Sequence, residues 1–382
     1  MDTHSKGCEH AYFPHVGPLN KQLANIHQRM QVKVPEIDRI SFALYDHHHD
    51  NLKTYADSTF HGGELIHYEF PLAELPVLKQ CAQNGQSRSV ENIPIQLKPD
   101  YPHTRWLIEQ GYCSSLAIPT YHQQAFIGFI FLNSCQSHLF TEQVKQNVEP
   151  FIEMIRFAVC SEYDLVHTIL ETVNLTQARS PEHQLESKEH KERISCYAKV
   201  IATEVADIYQ LDDETIDNII QFSRYHDIGK LALPTSLLLN PNTLDKPERA
   251  QLYSHIEKGI EIINQIIDDI GTPDHPCICI LKEIVAYHHE FLDGSGYPYG
   301  LMQDNIPISA RIIAVANVFD ALTSHRPYKQ AWSVPFALLE LEKMVVSGKL
   351  DKHCVNALRY HQDYLKHVID IHPEIDPKDR FN

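Results

Sequence analysis

The sequence predicts an α+β domain, an antiparallel sheet with flanking helices, followed by an all-α helical bundle. Between residues 38 and 132, apolar residues occur in short runs bounded by polar turns, a pattern typical of strands. From about residue 142, apolar residues recur every three or four positions, as in amphipathic helices. A chain of 382 residues is long enough to bury two separate cores.

Four segments are expected along the chain. The N-terminal domain contains a predicted strand at 40–45, a polar turn at 46–51, and a second strand pair at 115–119 and 125–132. Thr141 is the expected N-cap of the helix that follows. We therefore expect a flexible tail, a sensor domain, a helical linker and a C-terminal domain, at residues 1–20, 21–160, 161–180 and 181–382 respectively.

The stretch 142–176 is predicted to be helical almost throughout, with Pro150 expected to kink or break it. Its apolar residues fit a seven-residue spacing, with Glu162 as the charged exception. The spacing leaves two interpretations open: a helix packed on its own domain, or a signalling helix that pairs two protomers in a homodimer. The residues of this seam are Val148, Phe151, Ile155, Ala158, Leu165 and Ile169.

Composition restricts the class of partner. The formal net charge is −17, so the backbone of a DNA or RNA duplex would be repelled at long range. The nine cysteines are scattered; Cys277 and Cys279 are close, but their spacing is not that of a zinc knuckle, and buried thiols in a reduced compartment are expected. The longest apolar run, 125–132, is too short for a membrane span. A cytoplasmic protein without membrane contact is the expectation.

Imidazoles and carboxylates gather in the second half of the chain. His226 and Asp227 are adjacent, and so are His288 and His289. Adjacent ligands suit more than one ion, and mixed imidazole and carboxylate donors favour Fe, Mn, Co or Zn over Ca or Mg. The further candidates are Glu186, His190, His255 and Asp320.

Two of the expected helices carry candidate ligands. A helix capped by Asp212 or Asp213 is expected to carry His226 and Asp227 at its end. A helix that opens at 246–248 is expected to carry His255.

Three segments in order are similar to a known family. They are HDIGKLALP (226–234), HHEFLDGSGYPYGL (288–301) and ARIIAVANVFDALTSHRPYK (310–329). This set resembles the HD-GYP family of cyclic-dinucleotide phosphodiesterases, over about residues 186–350. The N-terminal pattern of strand, short turn, long apolar strand and helix resembles a GAF domain, over about 20–160. The GAF resemblance implies a small-molecule pocket, with a ligand that no residue names, or a purely structural role.

The HD-GYP resemblance implies two or three divalent transition-metal ions, iron or manganese. Asp227 would be the bridging carboxylate. Glu186 and His190 would add a third ion, although Glu182 is a rival for Glu186 and a solvated charged face is the alternative. His190 and Arg193 match the family's His-x-x-Arg element. The implied metal ligands are Glu186, His190, His226, Asp227, His255, His288, His289 and Asp320.

The same resemblance implies a substrate-binding set. Asp227 and Lys230 are the expected catalytic residues, with the lysine meeting a phosphate oxygen as a point charge. Solvation at the surface is the alternative role for Arg326 and Lys329. The implied substrate-binding residues are Lys230, Gly296, Tyr297, Pro298, Arg326 and Lys329.

The function that the resemblance implies is metal-dependent hydrolysis of cyclic di-GMP, regulated by the N-terminal domain, with either linear pGpG or GMP as the end product. A phosphodiester is an anion that repels hydroxide, and two metal ions overcome this by neutralising charge and activating water. Two alternatives stay open. One is a phosphodiesterase specific for 3′,3′-cGAMP, and the other is an inactive domain that binds cyclic dinucleotides or docks to a partner.

Overall fold

The computed structural model describes residues 18–178, 187–238, 240, 244–271, 274–324 and 331–374. The N-terminal region is built on one antiparallel six-stranded sheet with the strand order β3-β2-β1-β6-β5-β4. Its strands are β1 (Arg39–Asp46), β2 (Asn51–Thr59), β3 (Glu69–Pro71), β4 (Arg88–Val90), β5 (Ser114–His122) and β6 (Ala125–Ser134). Its helices are α1 (Pro18–Gln31), α2 (Pro76–Asn84), α3 (Ile93–Gln96) and α4 (Pro102–Glu109), with a 3-10 turn at Leu72–Glu74.

Both faces of this sheet are covered. Helix α1 and the start of the next long helix pack on one face, and the apolar residues of β5, β6 and α2 form a second cluster on the other. As a result, the neighbouring residues Ser41 and Phe42 of β1, which point to opposite faces of the sheet, are both buried. The predicted hairpin turn and the pairing of β5 with β6 are confirmed.

Helix α5 (Glu142–Ala178) is a single helix of 37 residues that leaves the sheet and enters the helical region. The amide of Val144 donates a long hydrogen bond of 3.4 Å to the hydroxyl of Thr141 at its start. The break expected at Pro150 is absent, since the helix continues through it. Both Pro150 and Gln146, whose carbonyl loses its helical partner, are exposed, so water can solvate that carbonyl.

The apolar seam of α5 is buried by other residues of the same chain. Val148, Phe151 and Ile155 lie in the core of the N-terminal domain, and Ile169 lies in the core of the helical domain. This packing agrees with the first of the two sequence interpretations. The homodimer stays a prediction, now without an exposed seam to support it.

The described residues of the helical region form eleven further helices around one apolar cluster. They are α6 (Lys188–Glu204), α7 (Ala206–Tyr209), α8 (Asp213–Ser223), α9 (Thr235–Leu238), α10 (Lys246–Tyr253), α11 (His255–Ile270), α12 (Pro276–Tyr287), α13 (Ile308–Thr323), α14 (Val334–Val346), α15 (Lys352–Tyr360) and α16 (Gln362–Ile371), with 3-10 turns at Ile228–Ala232 and Gln303–Asn305. The predicted α+β domain followed by an all-α bundle is confirmed. Within the described residues, no helix is both long and apolar enough to cross a membrane.

The N-terminal domain contacts the first turn of α8. The side chain of Asp212 accepts a hydrogen bond from the Thr215 amide, as a predicted N-cap, and another of 2.7 Å from the Asn20 side chain. Asp213 pairs with the ring of His67 at 2.6 Å. Because α8 ends three residues before His226, these contacts connect the sheet domain to the region of the predicted metal ligands.

Candidate metal centre

His226 and Asp227 lie in a turn between α8 and the 3-10 helix at 228–232, not on a helix as the sequence suggested. On a helix, adjacent side chains diverge by about 100°. In this turn they converge, and His226 Nε2 lies 3.2 Å from Asp227 Oδ2. The adjacent pair therefore faces one shared site.

Three histidines are oriented around Asp227 by backbone carbonyls. The Nδ1 atoms lie 2.9 Å from the Ser223 carbonyl for His226, 2.7 Å from that of Leu252 for His255, and 2.9 Å from that of Ile284 for His288. All three rings are almost fully buried. A carbonyl only accepts hydrogen bonds, so each Nδ1 carries a proton and donates, and a neutral ring then has its lone pair on Nε2.

Two of these lone pairs, those of His255 and His288, point at the same oxygen of Asp227, Oδ1. Nε2 lies 3.1 Å from Asp227 Oδ1 in His255 and 3.5 Å away in His288. A lone pair facing a carboxylate oxygen is not a hydrogen bond. Asp227 Oδ1 and both Nε2 atoms are accordingly buried without a hydrogen-bond partner among the described residues. A cation bound between these atoms would satisfy the buried oxygen and the lone pairs together. Histidines that bind metals commonly donate the other ring N–H to a carbonyl in this way.

The donor set fits a divalent transition metal. Ligand atoms of Asp227, His255, His288 and His289 all lie within 4.8 Å of one another. Burial lowers the pKa of His288 to about 4 and that of His289 well below its usual value, so both rings are neutral at pH 7 and available as ligands. Burial would raise the pKa of Asp227, but Lys230 and then His226 outweigh it and hold that pKa well below its usual range.

Helix α11 approaches the turn that carries Asp227 at backbone contact distance. A Cβ on Gly229 would lie 1.8 Å from the His255 carbonyl oxygen and 2.5 Å from the Gly259 nitrogen. Only glycine fits at this crossing. His255 is the first residue of α11, whereas the sequence had placed it on the helix that opens at Lys246; that helix ends at Tyr253.

The Gly-Tyr-Pro segment supports His289. The ring of Tyr297 lies between His289, at a centroid distance of 4.5 Å, and Tyr253, at 3.8 Å. The amide of Tyr297 donates to the His289 carbonyl, and a Cβ on Gly296 would fall 2.4 to 2.5 Å from backbone atoms of residues 289–291. Pro298 follows Tyr297 through a cis peptide bond and is exposed. With both ring faces covered, Tyr297 is placed to hold the ligand His289.

Two residues near this segment gave no signal in the sequence. The buried carboxylate of Glu290 accepts three backbone hydrogen bonds of 2.7 to 3.1 Å, from Tyr299, Gly300 and Leu301, and so fixes the loop. Tyr253 is partly exposed and stacks on Tyr297 beside the metal ligands. Neither residue type is distinctive on its own; only the contact across the fold identifies them.

Asp320 lies in a separate network from the Asp227 cluster. Its Oδ1 accepts from Arg193 Nε at 2.6 Å, and its Oδ2 is paired with His190 Nδ1 at 2.7 Å and with the Ser324 hydroxyl. Burial would raise the pKa of Asp320, but His190 and Arg193 outweigh it and lower that pKa to about 2. The ring of His190 lies 5.6 Å from that of His226, which joins the two networks.

The other predicted residues are placed as follows. Lys230 Nζ lies 2.5 Å from Asp227 Oδ2 and is partly exposed, so it contacts the central carboxylate of the site. Glu186, its rival Glu182, Arg326 and Lys329 lie outside the described residues.

A second concave site lies in the N-terminal domain. It is a cavity of about 590 Å³ between the sheet and its covering segments, lined in part by His103 and Trp106. Asp212 and Asp213, at the start of α8, form part of its wall. Burial lowers the pKa of His103 to about 4, so this ring is neutral inside the cavity at pH 7.

Residues 180–354 match the model of the HD domain family. Curated relatives include a 3′3′-cGAMP-specific phosphodiesterase of Vibrio cholerae, 40% identical over 44% of this chain and 30% of its own length. A cyclic di-GMP phosphodiesterase response regulator of Xanthomonas campestris is 40% identical over 44% of this chain and 41% of its own length. A cyclic di-GMP phosphodiesterase of Thermotoga maritima is 36% identical over 50% and 48% respectively. The matches thus span less than half the length of each of these relatives.

Solved structures match the N-terminal region. The phycocyanobilin-bound GAF domain of a cyanobacterial phytochrome is 14% identical over 38% of this chain and 96% of that one, with a TM-score of 0.29. The GAF domain of an Acinetobacter phosphoenolpyruvate-protein phosphotransferase is 16% identical over 39% and 86%, with a TM-score of 0.30. Structural similarity with such TM-scores does not identify a ligand. The domain is described by the order of its six strands. For the helical half, the match of residues 180–354 to the HD domain family and the buried His-Asp cluster point in the same direction.

Proposed function

We propose that this chain is a metal-dependent phosphodiesterase that hydrolyses cyclic di-GMP to linear pGpG and onward to GMP. The observation that carries the proposal is the buried Asp227 oxygen that faces the lone pairs of His255 and His288. Three relatives of the helical domain are named as phosphodiesterases of cyclic dinucleotides, which supports the same substrate class.

The proposed metal ligands are His226, Asp227, His255, His288 and His289. The resemblance implies Asp320 as a sixth ligand of this set, and Glu186 with His190 as ligands of a third ion. We take the ions to be iron or manganese, two or three per chain. When bound, they neutralise the phosphodiester and lower the pKa of an attacking water. The histidine rings are already fixed by backbone carbonyls, so little side-chain entropy is lost when the site is filled.

Side chains around the ligands supply the remaining contacts to the substrate. Lys230 is partly exposed beside Asp227, where its ammonium can contact a phosphate oxygen as well as the carboxylate. One face of Tyr253 stacks on Tyr297, and its exposed part offers an aromatic surface to a nucleobase. Tyr297, Gly296 and Pro298 shape the loop, and Arg326 and Lys329 are proposed as further cationic contacts.

The N-terminal domain is proposed to regulate this site through α8. A small molecule in the 590 Å³ cavity would contact Asp212 and Asp213, which hold the first turn of α8 against the sheet domain. The other end of α8 leads directly to His226. A ligand that moves the start of this helix therefore has a short, rigid route to the metal centre.

A second substrate has equal support among the relatives. The Vibrio cholerae relative is named as specific for 3′3′-cGAMP and the Xanthomonas campestris relative as acting on cyclic di-GMP, at the same 40% identity. No described side chain distinguishes guanine from adenine. Hydrolysis of 3′,3′-cGAMP is therefore the alternative function.

The test uses full-length protein purified without oxygen and supplied with Fe(II) or Mn(II). Cyclic di-GMP and 3′,3′-cGAMP are followed separately by chromatography, and bound metal is measured by elemental analysis. We expect turnover of cyclic di-GMP, with loss of both metal and turnover in His288→Gln. His353→Gln, an exposed position, should match the wild type. Cleavage of 3′,3′-cGAMP alone would favour the alternative substrate, and tight binding without cleavage of either would favour a binding or docking module.

A further inference from the structure

A second group of potential metal ligands lies outside the phosphodiesterase centre, where α5 meets α12. Glu162 is on α5, His275 caps α12, and Cys277 is in the first turn of α12. Glu162 is the charged exception on the apolar seam of α5, and Cys277 is one of the cysteines for which only packing was expected. Both are nearly or completely buried.

The three side chains converge. His275 Nε2 lies 3.1 Å from Glu162 Oε2, and His275 Nδ1 lies 3.0 Å from Cys277 Sγ. One ligand atom from each residue lies within 4.8 Å of the other two. Thiolate, imidazole and carboxylate are the three ligand types that proteins use for zinc.

An unpartnered oxygen points to a missing cation here. Glu162 is 4% exposed, and its Oε1 has no hydrogen-bond partner among the described residues. Glu214 is fully buried nearby and also has an Oε1 without a described partner. Burial, followed by the charge of Glu162, raises the pKa of Glu214 to about 9. Two neighbouring buried carboxyls are costly unless a proton or a cation compensates them.

We propose that Glu162, His275 and Cys277 bind a zinc ion that fastens α5 to α12. On binding, the Cys277 thiol loses its proton to solvent and the sulfur bonds to zinc, while one nitrogen of the neutral His275 ring exchanges its present contact, with Cys277 or with Glu162, for a bond to the ion. Burial raises the pKa of Cys277, so the thiolate forms there only with a cation beside it. A thiolate ligand favours zinc over the ions that suit the nitrogen and oxygen donors of the Asp227 cluster.

The position of the site gives the ion a structural consequence. Helix α5 comes directly from the sheet domain, and α12 begins at the proposed site and ends at Tyr287, next to His288. Zinc would therefore join the helix that leaves the sensor domain to the helix that leads into the phosphodiesterase centre. This second connection is independent of the one made by α8.

Cobalt(II), a spectroscopic substitute for zinc, tests the proposal without measuring activity. Among the described residues, the Asp227 cluster contains no cysteine, so a thiolate-to-cobalt charge-transfer band that depends on Cys277 reports the new site. Full-length metal-depleted protein is titrated with Co(II), and zinc bound by untreated protein is measured by elemental analysis. We expect the band to saturate with one ion per chain in the wild type and in Cys354→Ser, a buried cysteine elsewhere in the same core.

Cys277→Ser should lose the band and one zinc ion per chain. A wild type without the band, or a band that survives in Cys277→Ser, would overturn the proposal. If circular dichroism shows that Cys277→Ser is unfolded, Glu162→Gln decides, because it keeps the thiol and the size of the side chain. Its cobalt affinity should fall at least about tenfold, and an unchanged affinity would contradict the proposed site.

Discussion

Two buried aspartates of the helical domain, Asp227 and Asp320, have similar exposure and opposite surroundings. Asp227 faces histidine lone pairs and keeps an oxygen without a hydrogen-bond partner among the described residues. Asp320 has both oxygens occupied, by Arg193, His190 and Ser324. Asp227 thus has one oxygen paired with Lys230 and the other facing histidine lone pairs, whereas both oxygens of Asp320 accept hydrogen bonds. The sequence resemblance nevertheless implies a ligand role for both.

The largest effect is expected from Asp227→Asn. The amide keeps the shape but removes the charge around which three histidines converge. Turnover should fall by about 10³-fold or more, together with metal content, measured by chromatography and elemental analysis. Asp304→Asn, at an exposed position, is the matched control. Full metal occupancy in Asp227→Asn would contradict the central role of this carboxylate.

Asp320→Asn should act mainly on stability. Removing this charge leaves the buried Arg193 with less compensation, at a cost of about 3 kcal/mol in the free energy of unfolding near neutral pH. The folded pKa of Asp320 is about 2 against an ordinary 3.8. The wild-type advantage is therefore present above pH 4 and shrinks as the pH falls from 3.8 towards 2. Urea unfolding of chelator-treated protein at several pH values measures the gap.

The same variant decides between the two roles of Asp320. Retention of the full metal content in Asp320→Asn would assign the residue to positioning of His190 and Arg193. Loss of one ion per chain would favour the ligand role that the resemblance implies. A stability gap that stays constant down to pH 2 would contradict the ion-pair account.

The contrast between these aspartates shows which features of the site could be predicted from the sequence. Residue types and motif order were enough to select His226, Asp227, His255, His288 and His289, which the fold brings together. Pattern and periodicity also predicted both fold classes. The surroundings of each carboxylate could not be predicted from the sequence, because they depend on donors from distant segments. Arg193, for example, donates to Asp320 from 127 positions away in the chain.

Other features of the site could not be predicted from the sequence for the same reason. Glu290 looks like any charged loop residue until three amides of residues 299–301 converge on it. No proline or glycine marks the break between α10 and α11 at Ser254. His255 was therefore expected on α10, whereas it begins α11. At Pro150 a break was among the expectations but the helix continues, since an exposed helix face tolerates the lost hydrogen bond.

Lys230→Ala tests what the charge beside Asp227 contributes. The lysine pairs with Asp227 Oδ2 but is not a metal ligand, so the ions should stay. Turnover should fall by about 10²-fold, the usual effect of removing a positioned charge at a reacting group. Elemental analysis and steady-state kinetics measure the two quantities, with Lys258→Ala, a partly exposed lysine of α11, as control. Loss of metal in Lys230→Ala would instead make the lysine a support for the charge state of Asp227.

Tyr297→Phe should have the smallest effect. The ring lies between Tyr253 and His289, and phenylalanine preserves both stacking contacts. Burial raises the pKa of the Tyr297 hydroxyl, so it stays protonated at neutral pH and cannot serve as a base. We expect turnover within about threefold of wild type, whereas Tyr297→Ala removes the ring and should cost about 1 kcal/mol or more in metal affinity through His289. Steady-state kinetics and metal titration compare the two variants. A large loss of turnover in Tyr297→Phe, with metal retained, would show that the hydroxyl itself contacts the substrate.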